Sequence, residues 1–187
     1  LNKKEYNLAI SLLSEILKKD PYFKEIYFEL GQTYFLVDEF EKSLEQLTEY
    51  LLLSPNDEKA YYLLGLCYMN LTKYNFALDA FNKVTSINEL HADSHYNLAN
   101  TFKEMERNKE AIDCYNKALE INPKYVDAYN NLGIIFNETG QYHKAIAVYR
   151  KALTLNPTNA NLYLGFSTTL HEKHLSEMSD IFYERYF

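Results

Sequence analysis

The stretch Tyr129–Pro157, YNNLGIIFNETGQYHKAIAVYRKALTLNP, decides the fold. Apolar and small residues recur in it at helical spacing twice, first as Tyr129, Leu132, Gly133 and Phe136, then as Ala145, Ile146, Tyr149, Ala152 and Leu153. Between the two runs lies Glu138-Thr139-Gly140-Gln141, short and polar, with room only for a reversal between antiparallel helices. The second run stops at Asn156-Pro157, because proline has no amide donor and drives its predecessor away from helical angles. The stretch predicts a helix hairpin.

Working outward, the same stop recurs at Pro21, Pro55 and Pro123, on a grid of 34 residues whose one missing member is filled by Glu89. Counting from three residues past each grid point places full repeats at 24–57, 58–91, 92–125 and 126–159. Five columns then align. Position 7 is Leu30, Leu64, Leu98 and Leu132, and position 8 stays small as Gly31, Gly65, Ala99 and Gly133. Position 11 is Tyr34, Tyr68, Phe102 and Phe136; position 20 is Ser43, Ala77, Ala111 and Ala145; position 24 is Leu47, Phe81, Tyr115 and Tyr149. Small residues at positions 8 and 20 let the two helices of a hairpin approach closely. One hairpin cannot cover both of its apolar faces, so neighbours must stack, and the chain is expected to form a single array over 1–187. Residues 1–23 read as the second helix of a partial repeat. Residues 160–187 read as a partial or atypical fifth, with a second helix expected through Ser179, Tyr183 and Tyr186. The apolar run Ile181–Phe187 is expected to need cover, from a longer parent chain or from a second copy.

These columns resemble the tetratricopeptide repeat, and the likeness covers nearly the whole chain. It implies an all-α, right-handed superhelical solenoid of antiparallel helix hairpins. Two columns depart from the family pattern. Position 4, where the family often has Trp, is Tyr27, Tyr61, His95 and Tyr129, and position 27 is Tyr50, Val84, Ala118 and Ala152.

Composition narrows the function. The chain has 26 acidic against 19 basic side chains, only three of them Arg, and no basic stripe, which opposes nucleic-acid binding. No run approaches the ~18 apolar residues of a membrane span, and no signal segment opens the chain. Cys67 and Cys114 are isolated and read as buried thiols of a reducing compartment, cytoplasmic or nuclear. The sequons at Asn70 and Asn137 read as ordinary turn residues.

Catalytic motifs are absent: there is no phosphate loop, nucleophile elbow or HExxH. His171 with His174, and His91 with His95, have helical spacing for a metal but lack further ligands. No metal, cofactor or enzymatic activity is expected of these residues.

In the family, the side chains lining the inner groove come mainly from first-helix positions 2, 5, 6, 9, 12 and 13. That rule selects Phe28, Gln32, Tyr62 and Leu66 in the early repeats, then Tyr96, Asn97, Asn100, Asn130, Asn131 and Asn137 in the later ones. An Asn side chain both donates and accepts, so Asn97, Asn100 and Asn131 are expected to hold a peptide backbone while Phe28, Tyr62 and Tyr96 hold its side chains. The family's clamp for chaperone tails needs three cations, and here those positions are Tyr96, Asn161 and Gly165. Asn97-Leu98-Ala99 and Asn131-Leu132-Gly133 also resemble the Asn ladder in the repeat arm of O-GlcNAc transferase, although Glu29, Leu63 and Gly165 interrupt it. The expected function is a non-catalytic scaffold that binds an extended protein or peptide segment in its groove. The alternatives are a substrate-recruiting arm of such a glycosyltransferase and a structural subunit self-associating through its terminal helices.

Overall fold

The computed structural model describes residues 3–186, with the side chains of 3, 175, 176 and 178–186 left aside. It is all-helical: α1 (Lys3–Lys19), α2 (Lys24–Leu36), α3 (Phe40–Leu53), α4 (Glu58–Asn70), α5 (Tyr74–Ile87), α6 (Ala92–Glu104), α7 (Asn108–Ile121), α8 (Val126–Glu138), α9 (Tyr142–Leu155) and α10 (Ala160–Tyr186). Among the described residues no helix is long and apolar enough to cross a membrane. The chain divides into two compact units, Leu1–Met105 and Glu106–Phe187.

In the first unit each helix packs on the next, from α1 through α6, and α2 also touches α4. Its hairpins close as the small columns require. A Cβ on Gly31 would sit 2.8 Å from Leu47 Cγ, and one on Gly65 2.5 Å from Phe81 Cε1, so position 8 is small to admit the large side chain at position 24. Position 20 comes close as well: Ser43 Oγ donates to the Gly31 carbonyl at 2.7 Å, and Cys67 Sγ follows at 3.2 Å from Ser43 Oγ. A polar side chain is thereby satisfied in a fully buried column.

The second unit packs α7 on α8, α8 on α9, and α10 on both α8 and α9. Tyr149 lies between two glycines, 2.5 Å from a Cβ built on Gly133 and 2.5 Å from one built on Gly165. Burial holds its hydroxyl at a pKa of about 12.

The turns explain where hairpins form. At position 15 the backbone enters the left-handed region in Asp38 (φ 62°), Thr72 (φ 55°), Glu106 (φ 58°) and Gly140 (φ 69°). In three of these turns the next amide donates back to the position-11 carbonyl: Glu39 to Tyr34 at 2.9 Å, Lys73 to Tyr68 at 2.8 Å and Gln141 to Phe136 at 2.7 Å. This is a Schellman closure, which satisfies carbonyls the helix leaves open. The fifth register point differs. In place of the second helix expected through Ser179, Tyr183 and Tyr186, α10 runs unbroken. Its position 15 is His174, inside the helix, and a Lys173–Glu177 ion pair spans the place where a turn would open. Good helix formers with an i,i+4 pair favour continuation over reversal. The apolar side chains of Ile181–Phe187 lie outside the described residues.

The stop without proline also holds. Helix α5 ends at Ile87, and Asn88 Oδ1 accepts from Leu90 N at 3.1 Å, the turn that Asn122 makes with Lys124. His95 Nε2 then lies 3.0 Å from the Glu89 carbonyl, where Tyr27 and Tyr129 donate to the carbonyls of Pro21 and Pro123. With a carbonyl as partner, His95 must carry its proton on Nε2.

Candidate functional site

The selected residues fall on first helices, seven in the first unit and three in the second. Their positions differ more than the spacing rule suggests. Phe28 on α2 is half-buried, with its ring 5.2 Å from Tyr50 and its side chain against the core around Leu47, Ala60 and Cys67. It is a packing residue first. Gln32, one turn on, is exposed.

Helix α4 supplies Tyr62 and Leu66, both half-buried, and α6 supplies Tyr96, Asn97 and Asn100, also half-buried. Two side-chain hydrogen bonds join the helices: Asn97 Nδ2 donates to Tyr62 Oη at 3.0 Å, and Thr101 Oγ1 donates to Met69 Sδ at 2.9 Å. The Tyr62 ring is further held by Phe81 at 5.9 Å and His91 at 5.1 Å. His91 is held in turn, because its Nδ1 accepts the Ser94 amide at 3.1 Å and so caps α6. Burial raises the Tyr62 hydroxyl above its ordinary pKa, the Asp93 charge adds to this, and the Asn97 bond works against it. The result is an aromatic ring fixed on three sides, with its oxygen accepting from an amide and its own proton available to donate.

In the second unit, Asn130, Asn131 and Asn137 are half-buried on α8. Asn131 Nδ2 donates to Tyr115 Oη at 3.1 Å, and Tyr115 is fully buried. Asn137 Nδ2 donates to Glu172 Oε2 at 3.1 Å, leaving its buried Oδ1 without a partner among the described residues. These amides are tied to the protein's own groups, a role that the groove rule does not contain.

The rule also left a concavity unassigned. A cavity of about 420 Å³ opens in the first unit between α1, α2 and α4, with Tyr6, Glu29, Gln32, Phe35, Leu36 and Leu63 on its walls. Glu29, Gln32, Phe35 and Leu36 stand at positions 6, 9, 12 and 13, so that signal was present; Tyr6 comes from a second helix, which the rule does not consider. Among the described residues no three His, Cys, Asp or Glu side chains come together as metal ligands. Both thiols are pushed up to about 11, Cys67 and Cys114 alike, by burial above all, which suppresses their thiolates.

A family profile described as tetratricopeptide repeat matches residues 90–158, and one described as anaphase-promoting complex, cyclosome, subunit 3 matches residues 2–84 and 42–118. Among solved structures, a crystal structure of MamA is 28% identical with a TM-score of 0.80, covering 83% of this chain and 91% of that one. A second MamA crystal structure, also 28% identical, has a TM-score of 0.78 and covers 84% and 86%. YrrB, described as a TPR protein with an unusual peptide-binding site, shares the fold at 21% identity and a TM-score of 0.71, covering 87% and 84%. A search of curated proteins returns no significant match.

Proposed function

Because the chain belongs to the tetratricopeptide-repeat family, whose fold is a protein-interaction scaffold, we propose that it is a non-catalytic module holding an extended peptide against its first helices. One observation carries the reading. Tyr62 and Asn97, from successive first helices, are bonded at 3.0 Å and only half-buried. A ring locked in place loses little freedom when a ligand arrives, and it offers a face for apolar side chains. Beside it on α6, Asn100 brings an amide that can pair with a peptide backbone.

Selection from a random-peptide display library tests this. The native chain enriches peptides, and the double variant Asn97→Ala, Asn100→Ala, with its helical circular dichroism intact, binds the selected peptides at least about tenfold more weakly, as loss of one or two hydrogen bonds requires. Unchanged affinity would sink the reading.

A second reading, self-association, has its own observation: Leu8, Leu12 and Ile16 form an i, i+4, i+8 stripe on α1 and are 61%, 52% and 40% exposed. Light scattering over a hundredfold concentration range checks it. A constant monomer mass at every concentration would remove it.

A further inference from the structure

We propose that the cavity of the first unit is a receptor for a basic side chain, arginine ahead of lysine, of the peptide that the scaffold holds; this rests on the groove reading above. The cavity, about 420 Å³, has apolar walls from Tyr6, Phe35, Leu36 and Leu63 and carries Glu29 and Gln32 as its polar groups. Its size is that of a site for a small ligand or a large side chain.

Glu29 stands at position 6, where the later repeats place Asn97 and Asn131. That exchange changes the chemistry. An amide serves donor and acceptor alike, whereas a carboxylate only accepts, so a backbone carbonyl or an acid is rejected and a donor is required. Glu29 is exposed; Thr33 Oγ1 donates to its backbone carbonyl at 2.7 Å, but no ion pair or hydrogen bond engages its carboxylate among the described residues. Glu25, one turn earlier on α2, is likewise exposed and without an ion pair, and like charges at that spacing work against the helix. Lys59, one turn before Leu63 on α4, forms no ion pair with either carboxylate. Among the described residues no ion pair compensates these two carboxylates, which points to a cation from outside.

The walls decide which cation. An apolar occupant would cover a carboxylate without pairing it, which is unfavourable. A small hydrated ion would leave the apolar walls wet. Lysine and arginine meet both demands, with an aliphatic stem for Phe35, Leu36 and Leu63 and a charged tip for Glu29. Arginine has the further advantage of a planar fork, which can donate to Glu29 and Gln32 together and lie on the Phe35 ring, itself held by Phe40 at 5.6 Å and by the core around Leu47.

The test uses the peptides selected from the random library. Basic residues are expected at one fixed position among native-chain binders. Glu29→Gln should weaken the best of them about tenfold or more, while Glu45→Gln on α3 changes nothing. Raising salt from 50 to 500 mM should weaken binding to the native chain and hardly affect binding to Glu29→Gln. Selection with Glu29→Lys should enrich acidic residues at that position. Binders without a basic residue, indifferent to Glu29→Gln yet weakened by Asn97→Ala with Asn100→Ala, would overturn this inference and leave the groove reading standing. No enrichment at all would overturn both.

Discussion

Asn97 and Asn131 hold the same repeat position, and each donates its Nδ2 to a tyrosine hydroxyl, yet the two bonds do different work. In the first unit the partner is Tyr62, half-buried on a first helix. In the second it is Tyr115, fully buried in the position-24 column. One amide fixes a surface ring, and the other satisfies a hydroxyl that the core has enclosed. Identical letters at identical register therefore hold a half-buried ring in one place, where the proposed function needs it, and an enclosed hydroxyl in the other. What separates them is whether the tyrosine belongs to the surface or to the core.

The largest expected effect is at the rings. Tyr115→Ala should cost about 3–5 kcal/mol in urea unfolding, as emptying a buried aromatic site does. Tyr62→Ala should cost less, since part of its ring is already exposed to water. Equal losses would erase the distinction. The amides come next. Asn131→Ala is expected to destabilise by about 1–2 kcal/mol, because it takes a partner from an enclosed hydroxyl, and Asn97→Ala by less than about 1 kcal/mol.

Ser94, on the same helix as Asn97, supplies a contrast of opposite sign. Its hydroxyl is fully buried and has no hydrogen-bond partner among the described residues. Ser94→Ala should therefore stabilise the chain by about 1 kcal/mol, removing an unsatisfied group and adding helix propensity. A loss of stability in thermal unfolding would mean that this hydroxyl has a partner in solution.

The smallest effect is on protonation. The Tyr62 hydroxyl is raised above its ordinary value of 10.0 by burial first. A raised folded-state pKa gives stability that is fully present below pH 10 and lost as pH rises through the folded value. Asn97→Ala removes the one bond that lowers it, so the titration of Tyr62, followed by carbon-13 NMR of labelled tyrosine, should move further up. A downward move would show that the bond does not favour the phenolate.

The 34-residue grid made the hairpins legible because each repeat marks its own turn and stop. Helix α10 was not legible: Tyr163, Phe166 and Leu170 keep the repeat's register, yet the helix continues through His174, where the other repeats enter the left-handed region. Periodicity registers what packs and is silent about a reversal that fails. The two odd members, Glu89 at the stop and His95 in the ring column, proved to be one feature, a ring nitrogen 3.0 Å from the stop's carbonyl. Of the candidate site, the helical face could be read from the register. The partners could not, since Tyr62 and Tyr115 lie 35 and 16 residues from their Asn and look alike in sequence. Which hydroxyl stays near the surface and which is enclosed by the core depends on packing between helices.

The most direct test of the central claim, that the first helices carry the peptide, is site-specific photocrosslinking. A photoreactive phenylalanine analogue in place of Tyr62 should attach to a peptide selected on the native chain. The same analogue in place of Phe76, 58% exposed on α5, should not. Attachment at Phe76 with none at Tyr62 would contradict the account.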